Sequence, residues 1–364
     1  MRYALIIAGG SGTRLWPMSR AGLPKQLIPF IRGKSLLEIA FQRLEGLIPA
    51  SRRYVCAGLK HHAAILAALP ELEKEHFLGE PTGRDTLNAI GLGAAVLAAK
   101  DPRAVFAVFT ADHLIEPVDQ FQKIVEQGFA LVERDLRTLV TFGIAPTAAV
   151  TAYGYLELGD SMPGGGRIVK QFKEKPQLAV AEEYFRKGPE FYLWNSGMFV
   201  WSAATLLDCI KRLEPQVYTG LSAMAQAWET SRRDKVLSEI YPTLKKISID
   251  FAVMEPASRL EQFRVAAVPM PLNWLDVGSW PSYARTCHHD ENGNALAAGK
   301  HILSETSNCL AATSEPDHLI AMMGCRDLIV IHTKNATLIC PADKAELIKD
   351  LYNEVEKQFG GEFT

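Results

Sequence analysis

Apolar residues in the first third of the chain follow two alternating patterns. Residues 3–8 and 104–109 are continuous apolar runs, which are typical of parallel strands buried on both faces of a sheet. Between them, Leu37, Phe41 and Leu44 recur at the spacing of one helix face. Strands that alternate with helices predict an α/β fold, with a Rossmann-like, mixed and mainly parallel sheet flanked by helices.

The same criteria locate further elements along the chain. A capping box that runs from Ser35 to Glu38 marks the start of the first helix. Short apolar runs predict strands, and longer periodic stretches predict helices. The predicted strands are residues 54–57, 76–78 and 139–143, and the predicted helices are residues 87–100, 203–213 and 220–228.

Antiparallel structure is predicted in the middle of the chain. Residues 153–158 and 168–172 are joined by the flexible segment 163–166, whose sequence is Pro-Gly-Gly-Gly. This arrangement favours a hairpin over a strand–helix–strand unit. We therefore expect a second lobe that closes over the first.

Beyond Cys287 the chain contains short strands separated by turns, a pattern that predicts a small β-solenoid or sandwich. The strands are expected at residues 319–323, 328–331 and 336–340. Residues 342–359 carry an apolar helical stripe and should dock on another surface. We predict a catalytic domain over residues 1–286 and a C-terminal β domain with a terminal helix over residues 287–364.

The low net charge argues against two classes of partner, and the hydropathy pattern argues against a membrane-spanning segment. The formal net charge is -2 with 22% charged residues, so neither a nucleic acid nor an anionic membrane is indicated. No apolar run reaches about 18 residues, and the start lacks the features of a signal peptide. We expect a soluble, cytoplasmic protein. The six cysteines include no CxxC pair, which argues against a zinc knuckle.

The loop after the first strand is the main candidate for chemistry. Gly9, Gly10 and Gly12 let the backbone approach a ligand and turn N–H groups toward it, which makes an anion cradle. Arg14 and Lys25 add positive charge. The spacing fits neither the dinucleotide motif GxGxxG nor a Walker A loop. These residues predict a polyphosphate site, and a glycine-rich turn without a ligand is the alternative.

Two further segments belong to the same predicted edge of the sheet. Gly83, Arg84, Asp85 and Thr86 begin a helix and offer N–H groups and a guanidinium to a nucleotide. The alternative there is an ordinary helix cap. Asp112 follows the central strand, where a carboxylate can hold Mg²⁺ against phosphates. Its alternative role is to cap the turn that follows.

The order of these segments resembles the sugar-phosphate nucleotidyltransferases, in the mannose-1-phosphate guanylyltransferase branch. The glycine-rich loop reads GGSGTRLWPMSR and is followed by PKQ. Other segments that carry the resemblance are residues 80–86, 172–176, 194–197, 248–255 and 274–280. In all, seven segments between Gly9 and Trp280 match in order. Asp85 stands where the family has asparagine, and Lys173 stands where it has valine.

The resemblance implies GTP and mannose 1-phosphate as substrates, Mg²⁺ as cofactor, and GDP-mannose and pyrophosphate as products. It implies the nucleotide-diphospho-sugar transferase fold, with a short left-handed β-helix that is often used in dimer contact, so a homodimer is an expected assembly. The implied catalytic residues are Arg14, Lys25, Asp112 and Lys175, and the implied metal ligands are Asp112 and Asp276. The implied nucleotide-binding residues are Ala8, Gly9, Gly10, Gly12, Thr13, Arg14, Lys25, Glu80, Gly83, Arg84, Asp85 and Thr86. The implied sugar-phosphate-binding residues are Asp112, Gly154, Glu174, Lys175 and Asn195.

Two alternatives stay open from the sequence. A different sugar-1-phosphate nucleotidyltransferase, such as a glucose-1-phosphate uridylyl- or thymidylyltransferase, would use the same chemistry. A non-catalytic protein that senses nucleotide sugars would be expected to lack a metal ligand or the phosphate lysine, whereas Asp112, Asp276 and Lys25 are present. An appended isomerase domain is not expected, since the sequence ends at Thr364.

Overall fold

A computed structural model of the chain describes residues 1–10, 12–297 and 299–364. The first-half strands are β1 (Arg2–Ile7), β2 (Arg53–Gly58), β3 (Phe77–Glu80), β4 (Val105–Thr110), β5 (His113–Glu116), β6 (Thr138–Ile144), β7 (Tyr155–Ser161), β8 (Arg167–Lys173) and β9 (Tyr192–Ser202). The later strands are β10 (Arg264–Pro269), β11 (Asn273–Asp276), β12 (His288–His289), β13 (Ala295–Leu296), β14 (Lys300–Ser304), β15 (Leu310–Thr313), β16 (Leu319–Met323), β17 (Leu328–Thr333) and β18 (Ala336–Pro341). The helices are α1 (Leu36–Gln42), α2 (His62–Ala68), α3 (Asp85–Lys100), α4 (Val118–Arg134), α5 (Leu178–Lys187), α6 (Ala203–Leu213), α7 (Pro215–Ala227), α8 (Arg233–Ile240), α9 (Glu255–Ala257), α10 (Trp280–Ala284) and α11 (Ile348–Phe359).

The chain folds into two compact units. The first unit comprises residues 1–9, 40–111 and 115–274, and the second comprises residues 10–39, 112–114 and 275–364. The loop that carries Arg14 and Lys25 therefore clusters with the C-terminal segment, as do Asp112 and Asp276. The division into residues 1–286 and 287–364 was drawn where the sequence pattern changes, and it stays a prediction.

The first unit contains a mixed sheet with the strand order β3-β2-β1-β4-β9-β6-β10-β8-β7. The strands β3, β2, β1 and β4 run parallel, whereas β9 is antiparallel to both of its neighbours β4 and β6. β4 is buried from Val105 to Phe109, as expected for a strand covered on both faces. The predicted mixed α/β sheet is confirmed. Its four parallel strands end at one edge, which is where Gly9, Glu80 and Ala111 lie.

The second unit contains short strands, as the C-terminal pattern predicted. β13, β15 and β17 are parallel neighbours, and β14 pairs in parallel with β16. The core of this unit includes the aromatic side chains Trp16, Trp280 and Tyr283. Helix α11 packs on the same core through Ile348, so the partner of the terminal helix is the second unit itself.

The local helix signals that were predicted near residue 35 are present. Ser35 N–H donates to the Glu38 carboxylate at 2.8 Å, and Glu38 N–H donates to the Ser35 hydroxyl at 3.2 Å. This reciprocal pair is the predicted capping box. Within the described ranges, no helix combines the length and the apolar character that crossing a bilayer requires.

Candidate functional site

Lys25, Asp112 and Asp276 come together in the second unit. Asp112 follows β4, and Asp276 is the last residue of β11. The backbone N–H of Val277 donates to the carbonyl of Asp112 at 2.9 Å and so ties the two acidic segments together. The ammonium of Lys25 lies 2.7 Å from Oδ2 of Asp112. Three residues that are far apart in sequence thus form one charged cluster.

The protonation states of this cluster depend on its burial. Burial and the neighbouring Asp112 carboxylate raise the pKa of Asp276 to about 6. Burial also acts to raise the pKa of Asp112, but the ammonium of Lys25 outweighs it and holds that pKa below its ordinary value. Burial works to lower the pKa of Lys25, yet the two carboxylates outweigh this effect and keep the pKa raised. Lys25 is therefore a cation, and Asp112 is an anion, at neutral pH.

The donor set of this cluster fits a magnesium ion. Ligand atoms of Asp112, His113 and Asp276 all lie within 4.8 Å of one another. Oδ1 of Asp276 is buried and has no hydrogen-bond partner among the described residues. Carboxylate oxygens are the ligands that Mg²⁺ prefers, and an acceptor without a donor is what a cation would satisfy. His113, which was not among the implied site residues, adds a third potential ligand atom.

The glycine-rich loop lies directly beside Lys25. Gly12 has φ of 64°, and a Cβ there would collide with the Ser19 hydroxyl and approach Cβ of Lys25 to 2.9 Å. Only glycine fits a left-handed position this close to a neighbouring side chain. Ser11, in the middle of the predicted cradle, lies outside the described residues. Thr13 begins the short 3₁₀ turn Thr13–Leu15 that follows.

The segment after the loop is anchored by two tryptophans of the second unit. The indole N–H of Trp16 donates to the Phe363 carbonyl at 2.7 Å, and that of Trp280 donates to the Trp16 carbonyl at 2.9 Å. Arg14 is exposed, and its guanidinium lies 2.8 Å from the carboxylate of Glu346. The predicted phosphate arginine is thus paired with an acidic side chain from the C-terminal segment.

In the first unit, Glu80 ends β3 and is 7% exposed. Its Oε1 accepts a hydrogen bond from the hydroxyl of Tyr241 at 2.6 Å. A Cβ added to Gly9 would lie 3.9 Å from the other oxygen, Oε2. Ala8 is buried beside this glycine, and its N–H donates to the Cys56 carbonyl at 2.8 Å. Glu80 is therefore a buried carboxylate next to the start of the glycine-rich loop.

The segment that follows Glu80 leads into helix α3, which begins at Asp85. Asp85 has φ of 66°, a left-handed conformation that asparagine and aspartate tolerate better than most residues. Its carboxylate accepts from Thr86 N–H at 2.8 Å. Aspartate, which replaces the family's asparagine here, is compatible with this backbone conformation. A Cβ added to Gly83 would meet no atom within 4 Å.

A second polar group in the first unit surrounds Asn195 in β9. Its amide nitrogen donates to Oδ1 of Asp250 at 2.9 Å, and its amide oxygen accepts from the Thr141 hydroxyl at 2.7 Å. Its backbone N–H donates to the Gly154 carbonyl at 2.8 Å. The side chain of Asn195 is thereby fixed in one orientation.

Glu174 and Lys175 lie near this asparagine group in the first unit. The ammonium of Lys175 is 2.8 Å from Oε1 of Glu174. Lys175 has φ of 43°, which costs a side-chain-bearing residue about 1 kcal/mol and is typical of functional positions. Burial, reinforced by the carboxylate of Glu174, raises the pKa of Asp250 to about 7. Asp250, Glu174 and Lys175 thus form an acidic cluster with one lysine.

Sequence reasoning missed two of these residues. Asp250 lies in the segment 248–255 that carries part of the resemblance, but it was not among the implied site residues. It begins the π-helical turn Asp250–Met254, and its Oδ1 accepts from the Asn195 amide. Tyr241 carried no motif at all. Each contacts a predicted site residue that is distant in sequence, so no local pattern could have indicated the pairing.

Two protein families match the chain in tandem. The Nucleotidyl transferase family matches residues 3–293, and the MannoseP isomerase/GMP-like beta-helix domain matches residues 299–355. The first match covers more than half of the chain and includes both clusters described above. These families define the class as a nucleotidyltransferase with an appended β domain.

Full-length relatives narrow the class. The mannose-1-phosphate guanylyltransferase ManC of Salmonella typhimurium is 35% identical over 98% of this chain and 72% of its own length. The mannose-1-phosphate guanylyltransferase of Escherichia coli K12 is 32% identical over 97% of this chain and 73% of its own length. A solved structure from Thermus thermophilus, described as a mannose-1-phosphate geranyltransferase, has a TM-score of 0.85 at 31% identity and covers 98% of this chain and 99% of its own. The chain belongs to the nucleotidyl transferase family, in its mannose-1-phosphate guanylyltransferase group.

Proposed function

We propose that this chain converts GTP and mannose 1-phosphate into GDP-mannose and pyrophosphate with the help of Mg²⁺. The observation that carries the proposal is the cluster of Lys25, Asp112 and Asp276 beside a glycine-rich loop. A reaction between two polyanions needs this combination of fixed cations and metal-binding carboxylates. Membership of the guanylyltransferase group supports the choice of sugar and nucleotide.

The chain's own residues act mainly by holding and neutralising the two substrates. The sugar phosphate oxygen attacks the α-phosphorus of GTP in line with the departing pyrophosphate, so no protein nucleophile is required. Lys25 and Arg14 would offset negative charge on the phosphates. Asp112 and Asp276 would hold Mg²⁺, which when bound spreads the charge that develops on the transferred phosphoryl group.

Residues of the first unit would hold the sugar phosphate. The amide of Asn195 is fixed, its oxygen accepts from Thr141 and Gly197, and its second N–H can donate to a sugar hydroxyl. Glu174 offers an acceptor, and Lys175 supplies positive charge for the phosphate. The left-handed backbone conformation of Lys175 sets the direction in which its Cα–Cβ bond leaves the chain.

Two further properties accompany the proposal. Strands β14 and β16 expose Ile302, Leu319 and Met323, which are 60%, 49% and 78% exposed, on one face of their two-stranded sheet. A contiguous apolar face of this kind suits a second copy of the chain, so we propose a homodimer, to be tested by light scattering.

We place the reaction in the cytoplasm, since a highly charged triphosphate does not cross a membrane unaided.

The direct test is a matrix of purified protein with each nucleoside triphosphate, crossed with mannose 1-phosphate and glucose 1-phosphate. Pyrophosphate release is measured with Mg²⁺ and with EDTA. We expect release with GTP and mannose 1-phosphate and none with EDTA. Release with another pair would instead favour a sister nucleotidyltransferase. Binding without release from any pair would favour a nucleotide-sugar sensor.

A further inference from the structure

A cavity of about 550 Å³ lies in the second unit, apart from the charged cluster described above. Its volume is in the range that is typical of small-molecule sites. Much of its wall is apolar and includes Pro17, Ile28, Phe30, Tyr283 and Pro316. Residues 17 and 28 lie on either side of Lys25 in the sequence, so a ligand in the cavity would contact both ends of that stretch.

Three cationic side chains complete the wall, namely Arg20, Lys300 and Lys334, and no acidic residue lines the cavity among the described residues. Two acidic side chains are close in sequence to this wall. Asp317 pairs with Lys300 at 3.0 Å, and the carboxylate of Glu315 accepts from a serine hydroxyl at 3.3 Å. Arg20 and Lys334 form no ion pair within the described ranges. The cavity therefore has two cations that no carboxylate balances.

Arg20 is held in place by neutral groups alone. Its Nε donates to the Pro17 carbonyl, and its Nη2 donates to the Thr333 hydroxyl, both at 2.9 Å. Its Nη1 makes no hydrogen bond to any residue that the structure describes. The side chain is partly buried, and this burial lowers the pKa of Arg20 below its ordinary value. A fixed, partly desolvated guanidinium with unused N–H donors is suited to bind an anion.

The charge and the apolar wall together define the ligand. A phosphomonoester carries a charge of roughly -1.5 to -2 at neutral pH and would balance two cations, whereas a carboxylate would balance one. The rings of Phe30 and Tyr283 have centroids 4.8 Å apart, and such a wall favours a flat ring. A sugar would place hydroxyl groups against this wall without partners.

We propose that the cavity is a second ligand site, which binds an aromatic phosphomonoester of the size of a nucleoside monophosphate. The phosphate lies between Arg20 and Lys334, and the ring packs on Phe30 and Tyr283. This site is separate from the proposed sites for GTP and mannose 1-phosphate, and its occupation does not depend on guanylyl transfer.

The test is isothermal titration calorimetry of the full chain at pH 8 with three probes. AMP carries both the ring and the phosphate, ribose 5-phosphate lacks the ring, and adenosine lacks the phosphate. We expect saturable binding of AMP with a Kd below roughly 1 mM, and binding at least tenfold weaker for each of the other two probes. Equal binding of AMP and ribose 5-phosphate, or of AMP and adenosine, would overturn the assignment of the ligand class.

Variants in the wall locate the bound probe. Arg20→Gln should weaken AMP binding by at least roughly tenfold, because a partly buried charge-assisted hydrogen bond is lost. Lys334→Ala should weaken it by about threefold, since this lysine is exposed. Ser314→Trp places a large side chain at an exposed position of the wall and should abolish binding. Lys349→Ala, at an exposed lysine of α11 outside the cavity, is the control and should bind AMP like the unaltered protein.

Lys25→Ala and Asp276→Asn distinguish the cavity from the charged cluster. Both should retain AMP binding, and thermal unfolding of every variant reports its folding. Loss of binding in Lys25→Ala with retention in Ser314→Trp would assign AMP to the nucleotide site and overturn the proposal. Absence of saturable AMP binding to the unaltered protein, as when a second copy of the chain covers the cavity, would overturn it as well.

Discussion

The ammonium of Lys25 lies 2.7 Å from Oδ2 of Asp112, although 87 residues separate the two in the sequence. Lys25 was predicted to bind phosphate, and Asp112 was predicted to bind Mg²⁺. The two side chains are only 11% and 23% exposed, so each stabilises the charge of the other in a poorly solvated place. A phosphate or a magnesium ion entering this cluster would compete with an existing ion pair.

Lys25→Ala should lower turnover by roughly 10²- to 10³-fold, because it removes a fixed cation from the charge that develops in the reaction. It should also lower the free energy of unfolding by about 2 kcal/mol, since Asp112 stays buried without its partner. Initial rates and urea denaturation measure the two effects. Lys349→Ala changes an exposed lysine of α11 and serves as control. An unchanged rate in Lys25→Ala would remove Lys25 from the mechanism.

Asp276→Asn should weaken magnesium binding, because Oδ1 of Asp276 is the buried acceptor that lacks a donor among the described residues. A ligand at 100 times its dissociation constant stabilises a protein by about 2.7 kcal/mol, so Mg²⁺ should raise the melting temperature of the unaltered protein. The same magnesium concentration should raise that of Asp276→Asn much less. Asp343→Asn, at an exposed ion pair with Lys344, should behave like the unaltered protein. Equal shifts in all three proteins would contradict the assignment.

Gly12→Ala should disturb the position of Lys25 rather than the fold as a whole. A Cβ at Gly12 would approach Cβ of Lys25 to 2.9 Å, in a backbone conformation that costs a non-glycine residue about 1–2 kcal/mol. We expect kcat to fall at least roughly tenfold while the chain stays folded. Gly22→Ala is the matched control, because no atom lies within 4 Å of its added Cβ. Similar rates for the two variants would show that the loop tolerates the shift.

Glu346→Gln should strengthen GTP binding slightly. Arg14 is paired with Glu346 at 2.8 Å in an exposed position, and such pairs stabilise by less than about 1 kcal/mol. Without this competitor, Arg14 is free to meet a phosphate, so the KM for GTP should fall about two- to threefold at low salt. The difference should vanish at high salt. Glu356→Gln in α11 is the control, and a higher KM in Glu346→Gln would count against the phosphate role of Arg14.

Asp250→Asn should change the pH dependence of stability. The pKa of Asp250 is about 7 in the folded chain against an ordinary 3.8, so the folded state binds the extra proton and stability is lost as the pH rises from about 4 to 7. Asparagine does not titrate, and its Oδ1 can still accept from Asn195. The free energy of unfolding of the variant, relative to the unaltered protein, should therefore rise between pH 5 and pH 8 by on the order of 3 kcal/mol.

Urea denaturation at pH 5 and pH 8 measures this difference. Asp208→Asn, which alters an exposed carboxylate paired with Arg212, should show no comparable rise. If the free energy of unfolding of Asp250→Asn relative to the unaltered protein does not change with pH, Asp250 is already ionised at pH 5.

Local signals in the sequence were sufficient to predict strands, helices and several candidate site residues. The apolar run of β4 predicted both a central strand and the position of Asp112 at its end, and the Ser35 to Glu38 capping box is present as expected. These predictions succeed because strand burial and helix capping depend on residues that are neighbours in the chain. The predicted roles in substrate and metal binding depend on ligands, and they stay predictions.

Long-range pairings could not be predicted. Asp250 meets Asn195 across 55 residues, and Tyr241 meets Glu80 across 161 residues. Neither pairing leaves a periodic or composition signal, since a single buried hydrogen bond needs only one suitable side chain at each end. The clustering of residues 10–39 with the C-terminal segment is similar, because it depends on tertiary contacts such as Trp280 with Trp16.

The most direct measurement is a product analysis of one reaction. The purified protein is incubated with GTP, mannose 1-phosphate and Mg²⁺, and nucleotide sugar and pyrophosphate are quantified by chromatography and mass spectrometry. We predict GDP-mannose and pyrophosphate in equal amounts, with neither formed in the presence of EDTA or by Asp276→Asn. Recovery of unchanged GTP from a folded protein that binds both substrates would contradict the proposed guanylyl transfer.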